Sequence, residues 1–138
     1  MNENSKLKAK SELGKWRLNV ETKWLSFAKL NHLPLLILRL SGIYGLGRSA
    51  FDRINNKSFN IVYTPNILFS RIHIDDITSI IIKFIDNKNL KGVYNLSDNM
   101  PATSEAIYLE AFRLLKLEPP TSKNLDELNL SKTAMGFF

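Results

Sequence analysis

Ile37-Leu38-Arg39-Leu40-Ser41-Gly42-Ile43-Tyr44-Gly45-Leu46-Gly47-Arg48 is the stretch on which the fold turns. Leu35 to Leu40 is a short apolar run. Its length, and the loop that follows, favour a strand over a helix. A run apolar on both faces suits a central strand of a parallel sheet covered by helices. Gly42, Gly45 and Gly47 allow turns that other residues resist. Arg48 to Asn55 then has room for one or two helical turns carrying Phe51 and Ile54.

Toward the C-terminus, residues 55–66 are Asn-rich and polar, contain Pro65, and read as a loop. Ile67 to Ile74 reads as a second strand, with Ile72 and Ile74 on the face opposite Arg71 and His73. Asp75 or Asp76 is expected to cap the helix that follows, since a carboxylate suits a helix N-terminus. Ile77, Ile80, Ile81, Phe84 and Ile85 form the buried stripe of that helix. Gly92 to Leu96 is a third strand. A last helix runs from about Ser104 to Leu117, with Ile107, Ala111, Leu114 and Leu115 inward, and Pro119-Pro120 ends it. The tail from Leu125 to Phe138 is weakly patterned and finishes on Phe137-Phe138.

Toward the N-terminus, Leu13, Trp16, Val20, Trp24, Phe27 and Leu30 recur at three- and four-residue steps. This spacing predicts a helix from Ser11, with Trp16 and Trp24 in the core. Asn31-His32 and then Pro34 stop it. Residues 1–10 are polar and basic and are expected to be disordered. The resulting alternation of helices and strands indicates an α/β fold with a parallel sheet.

The 138 residues suffice for one domain. Apolar content of 44% and charged content of 23% are ordinary globular values. The chain has no cysteine, which excludes disulfides, Cys-based zinc sites and a thiol nucleophile, and fits a cytoplasmic setting. No apolar run approaches the ~20 residues of a membrane span. Net charge is +6, yet the lysines are scattered and no basic run has interleaved aromatics. Nucleic acid is therefore not an expected partner.

Three segments together carry a resemblance. Leu38-Arg39-Leu40-Ser41-Gly42-Ile43-Tyr44-Gly45-Leu46-Gly47 is similar to a Leu-Arg-x-x-x-x-Tyr-Gly-Pro-Gly loop, with Leu46 in place of Pro. Arg71-Ile72-His73-Ile74-Asp75-Asp76 is similar to a strand-to-helix junction, and Gly92-Val93-Tyr94-Asn95-Leu96-Ser97-Asp98 to a Gly-x-x-Tyr-Asn-x-x-Asp strand. In this order they resemble the C-terminal half of an extended short-chain dehydrogenase/reductase of the NAD-dependent epimerase/dehydratase family. The resemblance covers residues 11–138 as a portion of an NAD(P)-binding Rossmann-like domain. The Gly-x-x-Gly-x-x-Gly or Gly-x-Gly-x-x-Gly turn that binds the dinucleotide does not occur in the sequence.

The resemblance implies site residues by position. The family's Tyr-x-x-x-Lys, with a Glu four residues later, aligns with Leu13, Arg17 and Glu21. Leu13 replaces the acid/base Tyr, so no catalytic residue is expected. Arg17 stands at the position that holds the ribose, but an Arg stays protonated and has no Lys-like tuned role. Leu40, Ser41, Gly42 and Ile43 inherit a contact to the nicotinamide. Phe69 occupies the position of the Arg that clamps a diphosphate in sugar-nucleotide enzymes; Arg48 and Arg71 are the remaining substrate candidates. Asp75 and Asp76 read as caps and not as metal ligands, so no metal site is expected. His73 reads as a strand histidine bonded to backbone, and Gly45-Leu46-Gly47 lacks the Lys-Ser/Thr of a P-loop.

The expected protein is thus a truncated epimerase/dehydratase-like chain without independent catalysis and without a cofactor of its own. NAD or NADP would enter only with an N-terminal half. One alternative is a split sugar-nucleotide epimerase or reductase, its N-terminal half separately encoded. Another is a non-catalytic interaction module, with self-association.

Overall fold

Ser11 opens the first helix, α1 (Glu12–Leu30), in the computed structural model, which describes residues 2–87 and 89–128. The Ser11 hydroxyl accepts from the Gly14 N–H, satisfying one of the free donors of the first turn. Asn31 closes the helix, its N–H returning to Phe27 and Lys29 carbonyls. The Phe137-Phe138 end of the tail lies outside the described residues.

Further along come β1 (Leu36–Leu40), β2 (Gly42–Tyr44), α2 (Ala50–Asn55), β3 (Arg71–His73), α3 (Ile74–Asp86), β4 (Gly92–Leu96), α4 (Ser104–Leu115) and a 3-10 turn, Leu125–Glu127. All strand pairing is parallel: β1 with β4, from Leu36↔Gly92 to Leu40↔Leu96, and β2 with β3, from Gly42↔Arg71 to Tyr44↔His73. The α/β parallel architecture expected from the alternation is therefore present. The chain divides into two compact units, Met1–Ser41 with Asp76–Leu96, and Gly42–Asp75 with Ser97–Phe138.

In the first unit, Arg39 on β1 bonds Glu21 on α1 through two donors, Nε to Oε2 at 3.1 Å and Nη2 to Oε1 at 2.5 Å. The Glu21 carboxylate holds the Arg39 guanidinium above its ordinary pKa. Phe84 of α3 packs against Tyr94 of β4 with tilted rings, centroids 5.1 Å apart. The Glu3 carboxylate accepts from the Asn95 N–H at 2.8 Å, and this bond holds the Glu3 pKa low.

Three expectations fail in this unit. Trp16 and Trp24 are not core; they are 70% and 54% exposed. The inward side of α1 carries Leu18, Glu21 and Ala28, set around the helix from the aromatic stripe by the turn of ~100° per residue. Ile81 and Ile85 of α3 are also exposed, while Ile77 is buried. Nor is β1 a central strand among the described residues. Leu35 O accepts from Gly92 N, and Ser41 N donates to Leu96 O. In parallel pairing the polar backbone groups of Leu36, Leu38 and Leu40 therefore point away from β4, and no described strand meets them.

The second unit closes a denser core. Ile54, Ile61, Tyr108, Ala111 and Phe112 are buried together, with Phe59 packed on Tyr108 and Phe112. After α2 takes Asn55, residues 56–66 have no regular structure apart from a bridge of Val62 to Lys123, but they are not a polar surface loop: Ile61 and Val62 are 2% and 5% exposed. On α4 the inward residues are Tyr108, Ala111 and Phe112, whereas Leu114 is 54% exposed. Thr103 caps α4 through the Ala106 N–H. Ser49 and Asp52 form a reciprocal capping box on α2, which holds the Asp52 carboxyl below its usual pKa.

Candidate functional site

The glycine loop is shaped by one close approach. A Cβ at Gly45 would lie 2.6 Å from Ile74 Cγ2, so any larger residue there would force the Ile74 side chain or the loop to shift. Gly45 and Arg48 then exchange backbone bonds, N to O in both directions, and Gly47 turns with φ +74°. Beside this loop Tyr44 and His73 meet edge to face at 5.1 Å.

The strand expected from Ile67 shrinks to Arg71–His73, because α3 begins at Ile74. Asp75 and Asp76 are accordingly first-turn residues and not caps. His73 takes the capping role: its Nδ1 accepts from the Asp75 N–H at 3.2 Å. In the neutral ring this leaves the proton on Nε2. His73 is thus on a strand and bonded to backbone, as the sequence predicts; its capping role is not legible there because histidine is not among the favoured capping residues.

The implied site residues sit as follows. Arg17 is exposed on α1, one turn after exposed Leu13, and no hydrogen bond or ion pair engages it among the described residues. Leu40 is 43% exposed at the end of β1. The hydroxyl of Ser41 is buried without a hydrogen-bond partner. Gly42 bonds the Ser70 carbonyl, and Ile43 lies half-buried opposite Ile72. Arg48 is exposed. No hydrogen bond joins Arg17 to Leu40 or Ser41.

Arg71 has a different occupation. Its Nη1 donates to Phe69 O at 2.9 Å and to Ala102 O at 3.1 Å, and the guanidinium lies 5.8 Å from the Phe69 ring centre. Burial lowers its pKa, and the charge of Asp98 opposes that shift. This Arg pins the Phe69–Ala102 bridge. Each of these carbonyls also accepts the other residue's N–H across the bridge, so Arg71→Met removes only the charged second donor and is expected to cost about 1–3 kcal/mol. Urea unfolding checks this; an unchanged midpoint would return Arg71 to the list of free anion-binding groups.

Thr64 was missed altogether. It is 6% exposed, and its hydroxyl has no hydrogen-bond partner. Nothing in a run of Asn, Thr and Pro residues marks one Thr as buried. Among the described residues no cluster of His, Asp and Glu is arranged to hold a metal, and no helix is long and apolar enough to cross a membrane.

No family model matches the sequence, and no curated protein matches it significantly. Solved structures do. A functionally unknown conserved protein from Silicibacter pomeroyi superposes at TM-score 0.86 with 28% identity, over 99% of this chain and 48% of that one. The dTDP-glucose 4,6-dehydratase of Bacillus anthracis, in complex with NAD, superposes at 0.71 with 14% identity, over 91% and 45%. The UDP-glucuronic acid 4-epimerase of Bacillus cereus, also with NAD, superposes at 0.66 with 21% identity, over 88% and 45%. The chain shares the fold of part of these proteins. It spans less than half the length of each, and the relationship is distant.

Among the described residues, two polar groups at the implied positions are without partners. Ser41 offers a buried free hydroxyl and Arg17 a free cation. The cradle of backbone N–H groups that a pyrophosphate needs has no counterpart in the sequence.

Proposed function

We propose that this chain is the C-terminal portion of an epimerase/dehydratase-type fold, cytoplasmic, and without catalysis of its own. The observation that carries the reading is the open apolar surface of the first unit. Among the described residues no strand pairs with the outer backbone edge of β1, and a groove of about 330 Å³ is lined by Leu36, Leu38, Ile81, Phe84 and Ile85. A parallel sheet is ordinarily covered on both faces and continued at such an edge. The partner this implies is an N-terminal half bearing the dinucleotide turn, and NAD or NADP belongs to that assembly. Leu13 agrees with the non-catalytic reading, since leucine transfers no proton.

Co-expression with an N-terminal half of this fold tests the pairing. The expected result is higher soluble yield and loss of binding of an apolar-surface dye to the β1–α3 groove. Unchanged dye binding and yield would overturn it.

A second reading rests on Arg17. Exposed and, among the described residues, unpaired, it stands one turn from Leu13 at the position that the resemblance gives to the ribose contact, which supports a split NAD(P)-dependent sugar-nucleotide epimerase or reductase. In that case Arg17→Ala weakens cofactor binding by the two-chain assembly.

A further inference from the structure

The outer edge of β4 carries a contact that no sequence pattern announces. Gly92 donates its N–H to Leu35 O, and Leu96 O accepts from the Ser41 N–H, so Gly92, Tyr94 and Leu96 turn their backbone groups toward β1. Val93 and Asn95 lie between them and turn theirs outward. No described strand pairs with that side. The Asn95 N–H is nonetheless occupied: the Glu3 carboxylate, 92 residues earlier in the chain, accepts it at 2.8 Å.

The chain around Glu3 is shaped for this contact. Asn2 to Ser5 makes a turn, with the Ser5 N–H donating to Asn2 O at 3.0 Å. Two side-chain bonds fasten it. The Asn2 N–H donates to Ser5 Oγ at 2.9 Å, and Asn2 Oδ1 accepts from the Asn4 N–H at 3.2 Å. The second is the bond by which an asparagine starts a turn. Glu3 is the second residue of that turn, so its backbone is already ordered and less freedom is lost when the carboxylate docks.

Charge adds to geometry. Arg39 lies opposite Asn95 in the β1–β4 register and attracts the Glu3 carboxylate. The same guanidinium is hydrogen-bonded to Glu21 of α1. β4 has no charged residue, and the next charges on the segment of Glu3 itself are Lys6, Lys8 and Lys10.

We propose that Glu3 is a charge-operated latch, whose ionised carboxylate closes the N-terminal segment over the outer edge of β4 and whose neutral form releases it. An ionised acceptor holds an N–H about twice as strongly as a neutral one. Protonation also removes the attraction to Arg39. A row of free outward N–H and C=O groups is where a further strand adds, so the latch decides whether this edge is open. The Asn95 bond above all holds the Glu3 carboxyl below its ordinary pKa, and Arg39 acts in the same direction. With the folded value lowered, the latch is closed above the unfolded carboxyl range and is lost as pH falls through the lowered value.

Hydrogen exchange of the full chain tests this, followed by NMR and corrected for the intrinsic rate at each pH, beside trypsin cleavage at Lys6 at neutral pH. There Glu3→Ala is expected to speed exchange of the Asn95 amide about tenfold, for the loss of one charge-assisted bond. Cleavage at Lys6 is expected to speed up in parallel. The Tyr94 and Leu96 amides, which face β1, are expected to keep their protection. In the wild-type chain, Asn95 protection is expected to fall in one step as pH drops through the carboxyl range. Glu3→Gln keeps an acceptor without the charge; it is expected to exchange faster than wild type at neutral pH and to show no step. Unchanged Asn95 exchange in Glu3→Ala overturns the proposal, as does a pH step that survives in Glu3→Gln. Faster exchange without faster cleavage overturns it too, because the bond would then not hold the segment. Equal losses at Tyr94, Asn95 and Leu96 would mean a general loosening of β4 and overturn it as well.

Discussion

Phe112→Ala is expected to destabilise the second unit by about 3–5 kcal/mol, the cost of emptying a buried aromatic site. Phe112 is 5% exposed and lies 5.5 Å, centre to centre, from Phe59. It shares its cluster with Ile54, Ile61, Tyr108 and Ala111. Tyr108 sits on α4 itself and Phe59 packs on both rings from the segment after α2, so the substitution empties a site walled by two aromatic rings. The loss is a large part of the total stability of about 5–15 kcal/mol typical of a domain. Leu114→Ala, two residues on, is the contrast. At 54% exposure it should change stability by no more than about 0.5 kcal/mol. Urea unfolding followed by circular dichroism separates the two. Equal effects would mean that α4 faces its core by the other side.

The second large effect is expected at Arg39. Its side chain is 22% exposed and that of Glu21 16%. Their two parallel hydrogen bonds make a bidentate pair, which is stronger than a single contact. Arg39→Ala leaves the Glu21 carboxylate largely buried with no counter-charge. Removing one partner of a fully buried pair costs ~3–5 kcal/mol, and the residual exposure here reduces this to about 2–3 kcal/mol. Replacing both residues by leucine should recover most of the loss, since two apolar side chains leave no charge behind. A double-mutant cycle measures this. Additive losses would show that the pair is not coupled. Arg39 and Glu21 both fall in segments that resemble family motifs, and their role in this chain is to tie α1 to β1.

The elements were legible where the signal was local. Ser11 before an apolar period, the short run ending at Leu40, and Gly92 before Leu96 each gave an element close to its observed bounds. Gly45 was legible as a turn, though its reason, the approach of Ile74, is a long-range fact. Burial was less legible. The periodicity of Leu13, Trp16, Val20, Trp24 and Phe27 marks an apolar face, but period alone does not say what covers it. Conversely, Ile61 and Val62 lie in a run with no period and are buried all the same, because tertiary packing and not repeat places them. For the site, the sequence indicated which positions to examine. It did not indicate that Arg71 is tied to two carbonyls, that the Ser41 hydroxyl lacks a partner, or that His73 opens α3, since each depends on backbone groups that no side-chain pattern encodes.

The central claim is that the dinucleotide site is not contained in this chain. Calorimetric titration of the chain alone with NAD and with NADP tests it most directly. The account predicts no saturable heat up to ~1 mM cofactor, a range that still registers binding of about −4 kcal/mol. Saturable binding below that concentration, lost in Arg17→Ala or Ser41→Ala, would contradict it.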